Sequence, residues 1–175
     1  MYYRGATGHL GIALIQILCG KNEHELNEEL SSLKMSVEPP DLRDSNITIL
    51  EGEHTTLAEL VAAASTVPFM SATRMIIIRG LLSKFEFRRP KPGVEFHTSL
   101  GEWKGLKISL SGLPSTTNIV FVDGSIDKKR NPLFKELHEI SQIKDFPLPR
   151  SGDLPRWIAK RATKLGIKLE FSAIQ

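Results

Sequence analysis

Arg74-Met75-Ile76-Ile77-Ile78-Arg79 is the stretch that decides the fold. Four apolar residues in a row between two arginines are too few for a buried helix and show no polar alternation. Such a run suits a central strand covered on both faces, the situation of a parallel sheet between two layers of helix.

Working outward from it, the flanking segments alternate in type. Towards the N-terminus, Thr55 or Thr56 can cap a helix whose Leu57, Leu60, Val61 and Ala64 share one face. Before it, Asn46 to Leu50 predicts a strand, with Ile47 and Ile49 alternating against Asn46 and Thr48. Glu23 to Val37 carries Leu26, Leu30 and Leu33 at helical spacing, and Ala13 to Cys19 is a short apolar run ending at Gly20, read as a buried strand. Towards the C-terminus, Gly80 to Thr98 reads as a long irregular segment containing the basic, proline-bearing stretch Phe85 to Gly93. Trp103, Leu106 and Leu110 suggest a short helix, and Asn118 to Val122 a strand. Asn131-Pro132 is a helix start, a capping side chain followed by proline, with Leu133, Phe134, Leu137 and Ile140 on its buried face. Gln142 to Phe146 is a weaker strand, and Asp153 can cap a helix from Leu154 to Leu165 that stops at Gly166. Strand and helix in alternation predict an α/β domain. The last residues, Ser172 to Gln175, look like the first turn of another helix, so the expectation is the front portion of a longer protein.

Composition agrees with a folded domain: of 175 residues, 41% are hydrophobic and 25% charged. The single cysteine, Cys19, cannot form an internal disulfide, which makes a cytosolic setting the default. The longest apolar run, Ile12 to Cys19, is broken by Gln16 and too short to span a bilayer, so no membrane partner is expected. Charge is unevenly spread. Residues 1 to 127 carry 12 Lys and Arg against 15 Asp and Glu, whereas residues 128 to 175 carry 11 against 5. The C-terminal third is therefore the part suited to an acidic partner such as nucleic acid.

Several candidate sites can be weighed on their residues. Gly5-Ala6-Thr7-Gly8-His9-Leu10-Gly11 has the glycine spacing of a dinucleotide-binding turn. Such a turn follows a buried strand, yet only Met1-Tyr2-Tyr3-Arg4 precedes it, which leaves a leader of no assigned role as the rival reading. Gly20-Lys21-Asn22 stands where a phosphate loop would follow the first strand. It lacks the glycine five residues earlier and the hydroxyl after the lysine, hence both the amide cradle and a magnesium ligand. The histidines at 9, 24, 54, 97 and 138 have no paired zinc spacing, there is no nucleophile elbow, and Cys19 reads as a small core residue. No metal or cofactor is expected. Val67-Pro68-Phe69-Met70 is an apolar cluster between a helix and a strand, which composition alone would place in the core. On the last helix, Arg156, Lys160 and Lys164 recur at i, i+4 and i+8 with Arg161 beside them, a row expected to stay solvated while Leu154, Trp157, Ile158 and Leu165 turn inward. Nucleic-acid contact by the four cations is the sharper alternative.

Taken in order, these pieces resemble the delta subunit of the bacterial DNA polymerase III clamp loader. Leu154-Pro155-Arg156-Trp157-Ile158-Ala159-Lys160-Arg161-Ala162 followed by Leu165-Gly166-Ile167-Lys168 is similar to that family's Leu-Pro-Arg-Trp helix. Val67 to Ser71 with Arg74 to Ile78, Asn118 to Val122 with Asp127-Lys128-Lys129, and Gly20 with Glu23 are similar to its other pieces. The resemblance implies an AAA+ domain of P-loop NTPase-like fold over residues 12–150, with no working P-loop and no ATP hydrolysis of its own. Residues 1–11 would be a leader, residues 151–175 the start of a helical second domain, and the C-terminal collar would be absent. It further implies a cytoplasmic, non-catalytic subunit of the polymerase holoenzyme that binds and opens the sliding clamp in DNA replication, alongside other loader subunits, with DNA met indirectly or weakly. The clamp-binding residues would be Val67, Pro68, Phe69 and Met70, which moves that cluster from core to surface. Two other classes compete: a dinucleotide-dependent oxidoreductase using the Gly5 to Gly11 turn, and a stand-alone nucleic-acid-binding module using the basic final helix.

Overall fold

A computed structural model describes residues 13–86, 100–164 and 166–167. The leader with its glycine turn, residues 87–99 with most of the basic stretch, Leu165, and residues 168–175 with the expected start of a further helix lie outside the described residues.

Five strands form one parallel sheet: β1 (Leu14–Cys19), β2 (Ile47–Glu51), β3 (Arg74–Arg79), β4 (Thr117–Asp123) and β5 (Gln142–Asp145), in the order β2-β3-β4-β1-β5. The arginine-flanked run is β3, and it lies between β2 and β4 as its two-sided burial requires. Its residues divide by parity. Ile76 and Ile78 join Ile15, Ile17, Ile119 and Phe121 on one face, whereas Met75 and Ile77 join Leu18 and Val120 on the other.

The first face is covered by α3 (Leu57–Ser65), α4 (Leu81–Lys84), α5 (Leu106–Ser111) and α6 (Pro132–Leu137), through Leu60, Leu82, Leu106, Leu110 and Leu133. The second is covered by α1 (Glu23–Met35), through Leu26 and Leu30, with Val37 beyond its end. This is the expected three-layer α/β architecture. A short helix, α2 (Arg43–Asn46), precedes β2, and α7 (Leu154–Lys164) follows β5 and lies against α1. Local signals explain the starts. Thr56 and Glu59 form a reciprocal capping box on α3, and the Asn131 side chain accepts from Phe134 N–H ahead of Pro132 on α6. Gly166, at φ +70, closes α7: its N–H donates to Thr163 C=O and that of Ile167 to Ala162 C=O, the paired bonds of a left-handed helix stop.

Three local expectations are corrected. The segment after β3 is not irregular from its first residue: Gly80, at φ +70, turns the chain into α4, whose Leu81 and Leu82 are fully buried. Four residues are too few to show a helical period. Alternation in β2 fails because it is an edge strand, where Ile49 is exposed while Leu50 packs on the core. Asp153 does not cap α7. It ends a 3-10 turn, Ser151–Asp153, that runs straight into the helix, and Leu154 is exposed.

Candidate functional site

In an open parallel sheet the carboxyl ends of the strands are where ligands bind, at the point where strand order reverses. Here that point lies beside β1 and β4, at Gly20 and Gly124. It is filled by the protein's own backbone. Gly20 N–H donates to Gly124 C=O at 3.0 Å, and Asn22 N–H, at the head of α1, donates to Phe146 C=O at 2.9 Å. A Cβ on Gly20, whose φ is +147, would come within 2.2 Å of the Phe146 carbonyl oxygen. The Gly20 and Asn22 amides, which could otherwise face a phosphate, are taken by the Gly124 and Phe146 carbonyls instead. Neighbouring turns are closed in the same way. A Cβ on Gly52 would lie 2.5 Å from Leu81 Cα, and the buried Asp123 carboxylate accepts from Leu82 N–H at 3.2 Å and Ser83 N–H at 2.8 Å. Burial pushes the Asp123 carboxyl upward in pKa, opposed by those hydrogen bonds. A cleft of about 220 Å³ remains, lined by Glu23, Asn27, Arg79 and Asp123 among others, where two carboxylates stand against one arginine.

Cys19 lies buried beneath this edge. Burial first, then its hydrogen bond to Asp145 at 3.3 Å, pushes its thiol up to about 12, which keeps it protonated and unreactive. Among the described residues no group of three His, Cys, Asp or Glu side chains could hold a metal ion.

The opposite, amino edge carries the apolar cluster. Between α3 and β3 the chain leaves the surface, with Val67 79% exposed, Phe69 55% and Met70 77%. Pro68 is half-buried. Contiguous exposure of large apolar side chains at a loop tip sets this cluster outside the core, against the reading from composition alone. The loop is nevertheless held firmly. Asn46, fully buried at the end of α2, accepts Phe69 N–H on Oδ1 at 2.7 Å and donates from Nδ2 to Phe69 C=O at 2.9 Å. Ser71 Oγ donates to Glu38 C=O at 2.5 Å. Between these ties Met70 adopts φ 46, a left-handed conformation that costs a non-glycine residue about 1–2 kcal/mol. Asn46 was legible only as the first residue of a strand. A polar residue at the boundary of an apolar segment was the available signal.

The four cations of α7 do not act together. Arg156 and Lys160 are exposed. Arg161 turns onto α1, its guanidinium forking across Glu28 at 2.8 and 2.5 Å, and it also contacts His24. Lys164 reaches the same carboxylate at 3.0 Å. These hydrogen bonds, Arg161 first, hold the Glu28 carboxyl well below its ordinary value, at about 2. Trp157 is half-buried, and its indole N–H donates to Glu25 at 2.6 Å. The inward face of α7 thus turns to an acidic helix, and half of the basic row is neutralised there.

Among known proteins, the family model described as DNA polymerase III, delta subunit, matches residues 17–146. No curated protein sequence matches the chain. Of solved structures, the Bacillus subtilis DNA clamp loader delta protein (YqeN) superposes with a TM-score of 0.70 at 19% identity, over 93% of this chain and 47% of that one. The chain thus spans about half the length of that relative. A DNA polymerase III gamma subunit-related protein from Thermotoga maritima gives 0.45 at 11% identity, over 90% of this chain and 49% of its own. The Aeropyrum pernix ORC2 protein gives 0.42 at 10% identity, over 87% and 46%.

Proposed function

Since the chain belongs to the DNA polymerase III delta subunit family, we propose that it binds the sliding clamp through Val67, Pro68, Phe69 and Met70 and opens it without hydrolysing ATP. The observation that carries this reading is the loop between α3 and β3, which holds Phe69 and Met70 outside a core that would otherwise bury them. Opening would be mechanical. A pocket on the clamp that takes the Phe69 ring more tightly when one clamp interface is strained shifts the population towards that state. The closed carboxyl edge, with Phe146 where a phosphate would sit, supports a role without nucleotide chemistry.

In this reading residues 12–150 form the clamp-binding domain and residues 151–175 begin a helical second one. The partners are the clamp and the other loader subunits, in the cytoplasm where replication takes place. No described helix is long and apolar enough to cross a membrane. DNA contact, where it occurs, is weak and falls to the exposed Arg156 and Lys160, because Arg161 and Lys164 are engaged by Glu28. Family membership gives no support to the dinucleotide reading of Gly5 to Gly11.

The test is Phe69→Ala. Burying a ring of this size gains on the order of 1.5–3 kcal/mol, so affinity for the sliding clamp of the same organism should fall tenfold or more by calorimetry or surface binding. Unchanged affinity would remove the anchor from this account.

A further inference from the structure

We propose that Asn46 is a positioning residue for clamp capture, its buried carboxamide fixing the Phe69 peptide so that the ring stands outward before any partner arrives. The proposal rests on the reading of Val67 to Met70 as the clamp anchor.

An apolar loop free to move would fold its large side chains back onto the nearest surface. Every partner would then have to pull them out and order them again. Ordering a side chain and its loop in advance removes that cost from binding. The structure shows how the order is kept. Asn46 has no exposed surface, and its carboxamide meets three partners: Leu42 C=O at 3.0 Å, Phe69 C=O at 2.9 Å and Phe69 N–H at 2.7 Å. Two carbonyls and one N–H leave only one way round for the amide, nitrogen towards the carbonyls. One side chain thereby ties both polar groups of a single residue 23 positions away, the pairing a neighbouring strand would give. It satisfies the Phe69 backbone and leaves the ring uncovered. Ser71, whose hydroxyl donates to Glu38 C=O and accepts from Thr73 N–H, makes the second tie. Met70 is carried between the two at its positive φ. The backbone is pinned at Phe69 and at Ser71 with Met70 between them, while the Phe69 and Met70 side chains stay largely exposed.

Asn131 supplies a matched control. It is equally buried, donates to Leu82 C=O at 2.7 Å and accepts from Phe134 N–H at 2.9 Å, but it sits at the other edge of the sheet. Clamp affinity would be measured for the intact chain, Asn46→Ala, Asn131→Ala, Phe69→Ala and the Asn46→Ala/Phe69→Ala double variant, at a temperature where circular dichroism shows each folded. Asn46→Ala should weaken clamp binding by about fivefold or more, the scale of one lost ordering contribution. Asn131→Ala should lower the melting temperature and leave affinity within about twofold, near the limit of what such a comparison resolves. Adding Asn46→Ala to Phe69→Ala should cost little further affinity, because there is no ring left to position. A second measurement needs no variant: amide hydrogen exchange on the unmodified chain should show Phe69 N–H protected although its ring is exposed.

A loss that is the same with and without the Phe69 ring would make Asn46 merely structural, and an unprotected Phe69 amide would show that the clasp does not persist. Either result overturns the proposal. If Phe69→Ala weakens binding and Asn46→Ala does not, positioning fails while the anchor stands. If Phe69→Ala itself has no effect, the anchor reading fails and takes the positioning role with it.

Discussion

At the carboxyl edge of the sheet the turns after β1, β2, β3 and β4 each close on a neighbouring strand end or turn through backbone, whereas at the amino edge the loop before β3 stands clear with Val67, Phe69 and Met70 exposed. In the first arrangement the Gly20 and Asn22 amides, beside the position of a phosphate, are taken by backbone carbonyls. The second leaves apolar area unsatisfied in water, at a cost of roughly 25 cal/mol per Å² left exposed. A fold of this kind ordinarily keeps its ligand chemistry at the carboxyl edge. Here the Gly20 and Asn22 amides at that edge are taken by backbone carbonyls, and the exposed apolar loop lies at the opposite end, where the proposed recognition would rest on shape and apolar burial rather than on charge.

The largest effects should separate the two kinds of phenylalanine. Phe121 is fully buried at the middle of the sheet, and truncation to alanine should cost about 3–5 kcal/mol of stability in a urea titration. Phe69→Ala should change the same midpoint very little, since its ring is more than half exposed. Comparable losses would mean that the amino-edge loop is core after all, and the contrast between the edges would collapse. Next in size is Gly20→Ala. Its φ of +147 and the 2.2 Å approach to the Phe146 carbonyl leave no room for a Cβ, so β5 and the turn behind it must shift, at about 1–3 kcal/mol. Gly80→Ala, also at positive φ but with nothing within 4 Å, should be milder, reflecting backbone conformation alone. Equal tolerance at the two glycines would show that the carboxyl edge is not closed.

Much of this contrast could be read from residues, and the part that could not has a common cause. The layers were legible because burial on two faces forces an unbroken apolar run, as in Met75 to Ile78, and a helix one face of which is buried shows its period, as in Leu26 and Leu30. Caps at Thr56 and Asn131 were legible because they are local. The exposure of Phe69 ran against its composition and was expected only through family resemblance. What stayed hidden depends on atoms far apart in sequence or on the main chain. Phe146 closes the phosphate position with a carbonyl oxygen, which every residue possesses. Asn46 reaches Phe69 across 23 positions. The fate of Arg161 and Lys164 depended on Glu28, which helical spacing on α7 says nothing about.

The smallest expected effect concerns how α7 is held against α1, the helix that starts from the carboxyl edge, and it sharpens the comparison because the two clasps differ in charge. The amino-edge loop is tied by an amide, a hydroxyl and backbone carbonyls, none of which titrates. On the other side, α7 is tied to α1 by Glu28, which faces Arg161, Lys164 and His24, with Trp157 on Glu25 beside it. Glu28 has its carboxyl lowered from an ordinary value of 4.5 to about 2, first by the hydrogen bond from Arg161 and then by that from Lys164. A depressed carboxyl contributes stability that is fully present above its unfolded value and is lost as pH falls through the folded one. The contact between α7 and α1 should therefore weaken between about pH 4.5 and 2, and not on the alkaline side. The change in overall stability should be slight, because exposed ion pairs contribute little and salt screens them. Trp157 emission can report it in a Trp103→Phe background, which removes the one other tryptophan. A red shift through that acid window is expected. Glu28→Gln should show it already at neutral pH and lose the acid dependence. Over the same window Phe69 N–H should keep its protection for as long as the sheet remains folded. Simultaneous loss of both signals would mean that one cooperative unfolding event, and not a charged clasp at a single edge, governs the acid response.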